Sequence, residues 1–587
     1  MDEIDTVPSV DFSCLGDYLE FEDIIQSVSI DTIEEYRTRI IELFQRSNKD
    51  DINVFLYTII GYCNQLITRA VHILKLFKCL ECLPFFVQMV EKLIHILENC
   101  WRRSRNGYRV TYVLVLKYIY DNGIINKGIL LKSIKKIFNN NVYFTQKEKI
   151  YVDDEYSIED AVSGILFLYS VFHSEIKENN HKLFEKAKTF FQKIQPLPQS
   201  DMEVITILQN FDLHLKRRFI DVKNALLNRG FPMSISSIIY RDNLEELKIF
   251  ESFYPRAING TIPSSNFETL YDVTDQITPL CYAAIYGSIN CFKYLILKTA
   301  DINNTDLYYN ALIGGNTEIL QIVRQVCQPI TSEFSNYIDC RNFKVFQWFF
   351  EYCVIPPENI TEEYQSIISN SGYRNQLQVY KYIVELGGIV NGSPGDSIIN
   401  EALSGSSYLV CKALFRLKEI QFFNEGNEFY FFQNSIRSDN TDLIRFIIHN
   451  DLFKSVLEKV IHKVLIFAVK QDNTEILDIL LELPFVEINK QDHGQTPIST
   501  AVSYGASESI KWLISNPKID LSCNQNPQLM ESIIGQSNTS QFKLIASHPT
   551  FELPKNYSPP NNLNHDMLKV ITDFKKNKKK LKKSNKY

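Results

Sequence analysis

The chain has 587 residues, of which 45% are hydrophobic and 22% charged, with a net charge of −7. These are ordinary globular values; they exclude a chain that is disordered throughout and leave room for two or more folding units. No apolar run reaches the ~18 residues of a membrane span. The acidic start MDEIDTVPSVDF lacks the basic-then-apolar layout of a secretory signal, so the twelve scattered cysteines read as reduced thiols of a cytoplasmic protein.

Residues 1–230 read as successive helices forming an all-helical N-terminal domain. Thr32 with Glu35 makes a capping box before IEEYRTRIIELFQ, where Ile33, Tyr36, Ile40 and Phe44 recur near helical spacing. Long amphipathic runs follow over 52–100, 107–138 and 157–194, and QPLPQS at 195–200 is a break. Cys79 and Cys82 have CxxC spacing, but no second pair or close His pair accompanies them; they read as two buried thiols on a helix, with no metal site. WRRSRNGYR (101–109) reads as a solvated turn. The domain is either a cap on the repeats that follow or a partner-binding module.

From residue 231 to 556 a period of 33 residues governs the chain. Ala402, Ser435, Ala468 and Ala501 open four segments whose apolar positions coincide, as in Leu414, Ile447, Leu480 and Leu513. Such a period means one supersecondary unit copied along the chain, each copy burying its apolar face on its neighbours. At that period the stretch holds roughly nine or ten units. Thr278-Pro279 and Thr496-Pro497 are placed to cap and start a helix. Ala283, Ala284 and Ala501 are small where helices approach closely, and Trp512, in register with Phe446 and Ile479, is expected to be buried. Gly287, Gly315 and Gly505 sit where the chain turns between helices; Asp439 and Asp472 take the same place and tolerate the same left-handed backbone.

The stretches EINKQDHGQTPISTAVSYGASESIKWLI and ITPLCYAAIYGSINCFKYLILKTADIN resemble the ankyrin repeat, in the divergent form of the large protist families. The resemblance implies an all-α fold: an ankyrin-repeat helical solenoid preceded by the helical domain. It also implies a non-enzymatic scaffold or adaptor that binds other proteins through its concave face. In repeats of this kind the contacts come from hairpin tips and from the two positions before the inter-helix Gly. Carried onto this chain, those positions are Ile285 and Tyr286, Arg437 and Ser438, Lys470 and Gln471, Ser503 and Tyr504, with Asp492 and His493 at a hairpin tip. NKQDHGQTP is one residue shorter than the usual turn, and Tyr286 and Tyr504 could equally fill the groove beside the next repeat.

No phosphate loop, nucleophile elbow, HExxH or kinase set occurs, and GGIVNGSPG (387–395) lacks the Lys of a phosphate cradle. Neither a cofactor nor a small-molecule substrate is expected. Residues 557–587 read as a disordered tail, since KKNKKKLKKSNKY from Lys575 carries eight Lys and no acid. The tail serves nuclear import, contact with an anionic surface, or solubility; without interleaved aromatics, sequence-specific nucleic-acid recognition is not expected. The alternatives to the scaffold are therefore a nuclear or anionic-surface adaptor that uses this tail, and a regulatory array that docks its own N-terminal domain.

Overall fold

A computed structural model describes residues 15–584 except 30–31, 47–51, 64–66, 85, 102–105, 145–149, 153–157, 194–201, 264, 266, 268–276, 300–302, 332–333, 341, 355–360, 388–393, 418–425, 427, 492–494, 523–527, 537–538 and 554–564. The chain divides into two compact units, one comprising 1–390 with 407–419 and the other 391–406 with 420–587. Almost every described element is an α-helix. The exceptions among the described residues are short 3-10 turns and a two-stranded antiparallel hairpin, Val142–Phe144 with Ile150–Val152, in register Val142 to Val152. The hairpin lies among the N-terminal helices.

In the first unit the N-terminal helices pack around one continuous apolar core that reaches from Phe21 to Leu226 and takes in Phe267. The amphipathic spacing read from the sequence explains this: Ile40, Leu43 and Phe44 of the Ile33–Arg46 helix are all buried. Phe267 belongs to the long connection between the first two helix pairs of the array, and its ring meets Phe167 at 5.3 Å and Phe231 at 5.1 Å. The N-terminal helices therefore share a core with the beginning of the repeats.

The repeats are helix pairs. In the first unit the pairs are 235–240 with 244–253, 279–286 with 289–298, 304–314 with 317–326, the 3-10 turn 334–340 with 343–352, and 361–373 with 377–385. The second helix 408–414 also belongs to this unit. In the second unit the pairs are 428–437 with 441–448, 454–470 with 474–481, 497–504 with 507–515, and 529–536 with 539–546. First helices stack on first helices and second on second. The first helix of one repeat comes so close to the next that a Cβ at Gly314 would collide with the Ala284 carbonyl oxygen and stand 2.9 Å from that of Ile285.

Helix starts and stops follow the sequence. Thr278 accepts the Cys281 N–H at 3.2 Å and Thr496 that of Ser499 at 3.3 Å, each just before a Pro at the first helical turn. Gly287, Gly315 and Gly505 have φ of 68°, 65° and 70°, and Asp439 and Asp472 have 51° and 53°. Asp242 and Asn375 take this geometry too, at φ 51° and 60°.

The N-terminal helices also lie on the middle repeats of the first unit. Glu22, on the Gly16–Ser27 helix, accepts the Gln378 N–H at 2.9 Å, and Gln26 accepts the Phe343 N–H at 2.7 Å. Both amides open second helices of repeats. Lys344 reaches Asp23 at 3.4 Å and Ser27 at 3.2 Å. The Ile52–Cys63 helix packs on 408–414, where Tyr57 stacks on Tyr408 with ring centroids 5.3 Å apart.

Two expectations are corrected. Residues 565–584, expected in a disordered tail, form a helix whose Met567 and Ile571 are buried; Phe574 meets Phe542 and Phe551 at 5.9 and 5.5 Å. Apolar residues four and three apart make one helix face, which the neighbouring lysines obscure in the composition. Trp512 is half-buried, not buried, because its indole N–H donates to Asp478 at 2.8 Å on the outside of the second-helix layer. Among the described residues no helix is long and apolar enough to cross a membrane.

Candidate functional site

The candidate contact positions are the last turns of the first helices, just before the left-handed residue. Their surroundings differ sharply between repeats. Ile285 is buried and clusters with Ile313, while Tyr286 is half-buried with its ring 5.1 Å from Tyr240 and 4.7 Å from Tyr282. Tyr286 thus fills the groove beside the preceding repeat.

In the second unit the same positions are more open. Arg437 is exposed and its guanidinium lies over the Phe467 ring at 5.5 Å. One repeat later Lys470 places its ammonium over the Tyr504 ring at 4.6 Å, and Tyr504 itself is 61% exposed. Such contacts are worth about 0.5–1 kcal/mol at exposed sites, so they orient these side chains more than they stabilise the stack. Gln471 is exposed. Ser438 is buried and donates to the Ser435 carbonyl at 2.6 Å, a structural position and not a surface one. Ser503 donates to Ser532 at 2.7 Å in the next repeat. Asp492 and His493 lie outside the described residues.

The motif missed the exposed side of the long Lys454–Lys470 helix. Lys459 and Lys463 are exposed there, and with Phe467 and Lys470 they continue along one helix side. Their four- and three-residue spacing was visible in the sequence, but only the last turn was considered.

Cys79 and Cys82 sit on a 3-10 turn, Cys79 partly buried and Cys82 exposed, so they are not the buried helical pair expected. Burial pushes the Cys79 thiol above its ordinary range, opposite to what a reactive thiolate needs. Among the described residues no group of three His, Cys, Asp or Glu side chains is arranged to hold a metal ion.

Compared with known families, residues 275–307 match the ankyrin repeat, and residues 432–525 match ankyrin repeats in three copies. No curated protein matches the chain. Both matches fall on helix pairs with the left-handed turn described above, each match includes one pair with the Thr-Pro start, and ankyrin repeats are in general modules of protein–protein interaction. By sequence register, helix pairing and turn geometry together, residues 275–307 and 432–525 of the chain are ankyrin repeats.

Proposed function

We propose that this protein is a non-enzymatic scaffold or adaptor, and that the open first-helix ends of its second unit bind a protein partner. The observation that carries the reading is the exposure of Tyr504 beside Lys470, and of Arg437 over the Phe467 ring. Tyr and Arg are the residue types that most often anchor interfaces. Affinity capture from cell extract with the full chain and with Arg437→Ala plus Tyr504→Ala tests it. Loss of captured proteins with an unchanged melting curve supports a recognition face; unchanged capture sinks it.

A second reading is supported by the hydrogen bonds of Glu22 and Gln26 to the middle repeats. The N-terminal helices act as a built-in partner of those repeats and direct outside partners to the second unit. Glu22→Lys and Gln26→Lys together should then expose new surface, read as binding partners gained in the same capture. The cellular place of action is proposed as the cytoplasm, with nuclear entry or anionic contacts depending on the Lys-rich end. Removal of residues 575–587, followed by imaging, separates these.

A further inference from the structure

The exposed face of the second unit carries a charge pattern that repeat stacking does not require. Lys459, Lys463, Phe467 and Lys470 recur along one side of the Lys454–Lys470 helix. From first to last lysine the stripe runs about 16 Å, at 1.5 Å per residue. Arg437 flanks it over the Phe467 ring, and Tyr504 flanks it under Lys470. None of these four cations has a carboxylate partner among the described residues. Glu458 is exposed on the same helix but points about 100° round from Lys459, and the acids of the repeat turns beside the stripe are already engaged. Asp439 accepts from the Asn473 side chain, and Asp472 accepts the N–H groups of Glu508 and Ser509.

We infer that this stripe takes an extended acidic peptide segment of the partner protein, with carboxylates on alternate residues facing the lysines and aromatic side chains against Phe467 and Tyr504. This rests on the reading of the array face as a protein-binding surface. An extended segment of about five residues spans the same 16 Å, at roughly 3.3 Å per residue. Its alternate side chains stand about 6.6 Å apart, close to the one-turn rise between Lys459 and Lys463. The rings supply what unpaired lysines cannot, a desolvated contact that holds the segment after electrostatic encounter. A nucleic-acid duplex fits less well, because the stripe is a single helix side with rings inside it and the chain as a whole has a net charge of −7.

The test is fluorescence anisotropy on the full chain with a labelled dodecapeptide of alternating Glu and Tyr, and a Lys–Tyr peptide as control. The Glu peptide should bind and the Lys peptide should not. Lys463→Glu with Lys470→Glu should weaken binding at least about tenfold without changing the melting curve. The milder Lys463→Gln with Lys470→Gln should weaken it in the same direction. Raising salt from about 50 to about 300 mM should weaken it as well. Lys575→Gln, Lys576→Gln and Lys578→Gln together should have no effect. The inference is overturned if both lysine pairs leave binding intact, if binding is lost with the tail lysines instead, or if a DNA duplex occupies the same lysines more tightly. In that event, proteins still captured by the parent chain and lost with Arg437→Ala plus Tyr504→Ala would leave the broader protein-binding reading standing.

Discussion

The carboxylate of Asp472 accepts the Ser509 N–H at 2.6 Å, so the turn inside one repeat caps the second helix of the next. Asp242 does the same for Asn290 and Cys291 at 3.2 and 2.9 Å, and Asn375 for Val410 at 3.1 Å. The left-handed residue thus does two things: it turns the chain, and it satisfies orphan amides of the neighbouring helix. Gly315 can turn but cannot cap. At the following second helix the Phe343 N–H is met by Gln26, from the N-terminal domain.

Substitutions at Asp472 should separate the two roles. Asp472→Asn should be nearly neutral. Asp472→Gly keeps the turn and loses the cap, costing about 1 kcal/mol. Asp472→Ala loses both and should cost about 2 kcal/mol. Urea unfolding of the full chain gives the ranking, and a Gly variant worse than Ala would refute it.

Glu22→Ala removes the acceptor of the part-buried Gln378 N–H, which should cost about 1 kcal/mol. Hydrogen exchange should quicken in the Leu377–Glu385 helix while the Ser507–Ser515 helix is unaffected. Uniform quickening, or none, would mean that Glu22 does not hold that helix.

Gly314→Ala places a methyl group on the Ala284 backbone oxygen, and backbone cannot yield as a side-chain end can. The expected loss is about 1–3 kcal/mol, measured by thermal or urea unfolding. Gly535→Ala, whose Cβ meets nothing within 4 Å, is the control and should change little.

His173 is buried among Tyr169, Phe184 and Phe219, and neither ring nitrogen has a hydrogen-bond partner among the described residues. Burial first, then Lys223, Lys177 and Arg218, lowers its pKa from 6.5 to about 4. The folded state therefore binds fewer protons than the unfolded chain between those values. Above pH 6.5 the group is neutral in both states and has no effect. As pH falls toward 4 it opposes folding by up to about 3 kcal/mol. The stability difference between parent and His173→Phe should shift in favour of Phe across that window. A difference that stays constant with pH would show that His173 is not held neutral.

Deleting residues 575–587 should leave stability within about half a kcal/mol, since the buried anchors Met567 and Ile571 remain. Extending the deletion to residue 565 should cost several times more, about 2–5 kcal/mol, and loosen the Thr539–Ala546 helix first. Equal effects of the two deletions would count against the packed helix.

The repeats were legible because each strong copy repeats the same local physics: a Thr-Pro start, a left-handed turn and apolar residues in register. Legibility ended where the deciding partner is remote or the composition misleads. Nothing around Glu22 or Gln26 marks them as caps for helices more than 300 residues away. The lysines after Phe574 hide the apolar face that makes the last helix fold. At Trp512 the register was read correctly, but a single polar atom on the indole decided which side of the layer it takes.

The bond between Glu22 and Gln378 also has a history in time. Glu22 leaves the ribosome 356 residues before its partner exists. At about 5–20 residues per second, roughly 20–70 s pass with that carboxylate unmatched. The apolar face of the Gly16–Ser27 helix packs with the helices made just after it, but its Glu22 and Gln26 wait for the middle repeats. A nascent chain stalled short of Phe343 would still present the Glu22 and Gln26 side of this helix to whatever waits at the ribosome exit.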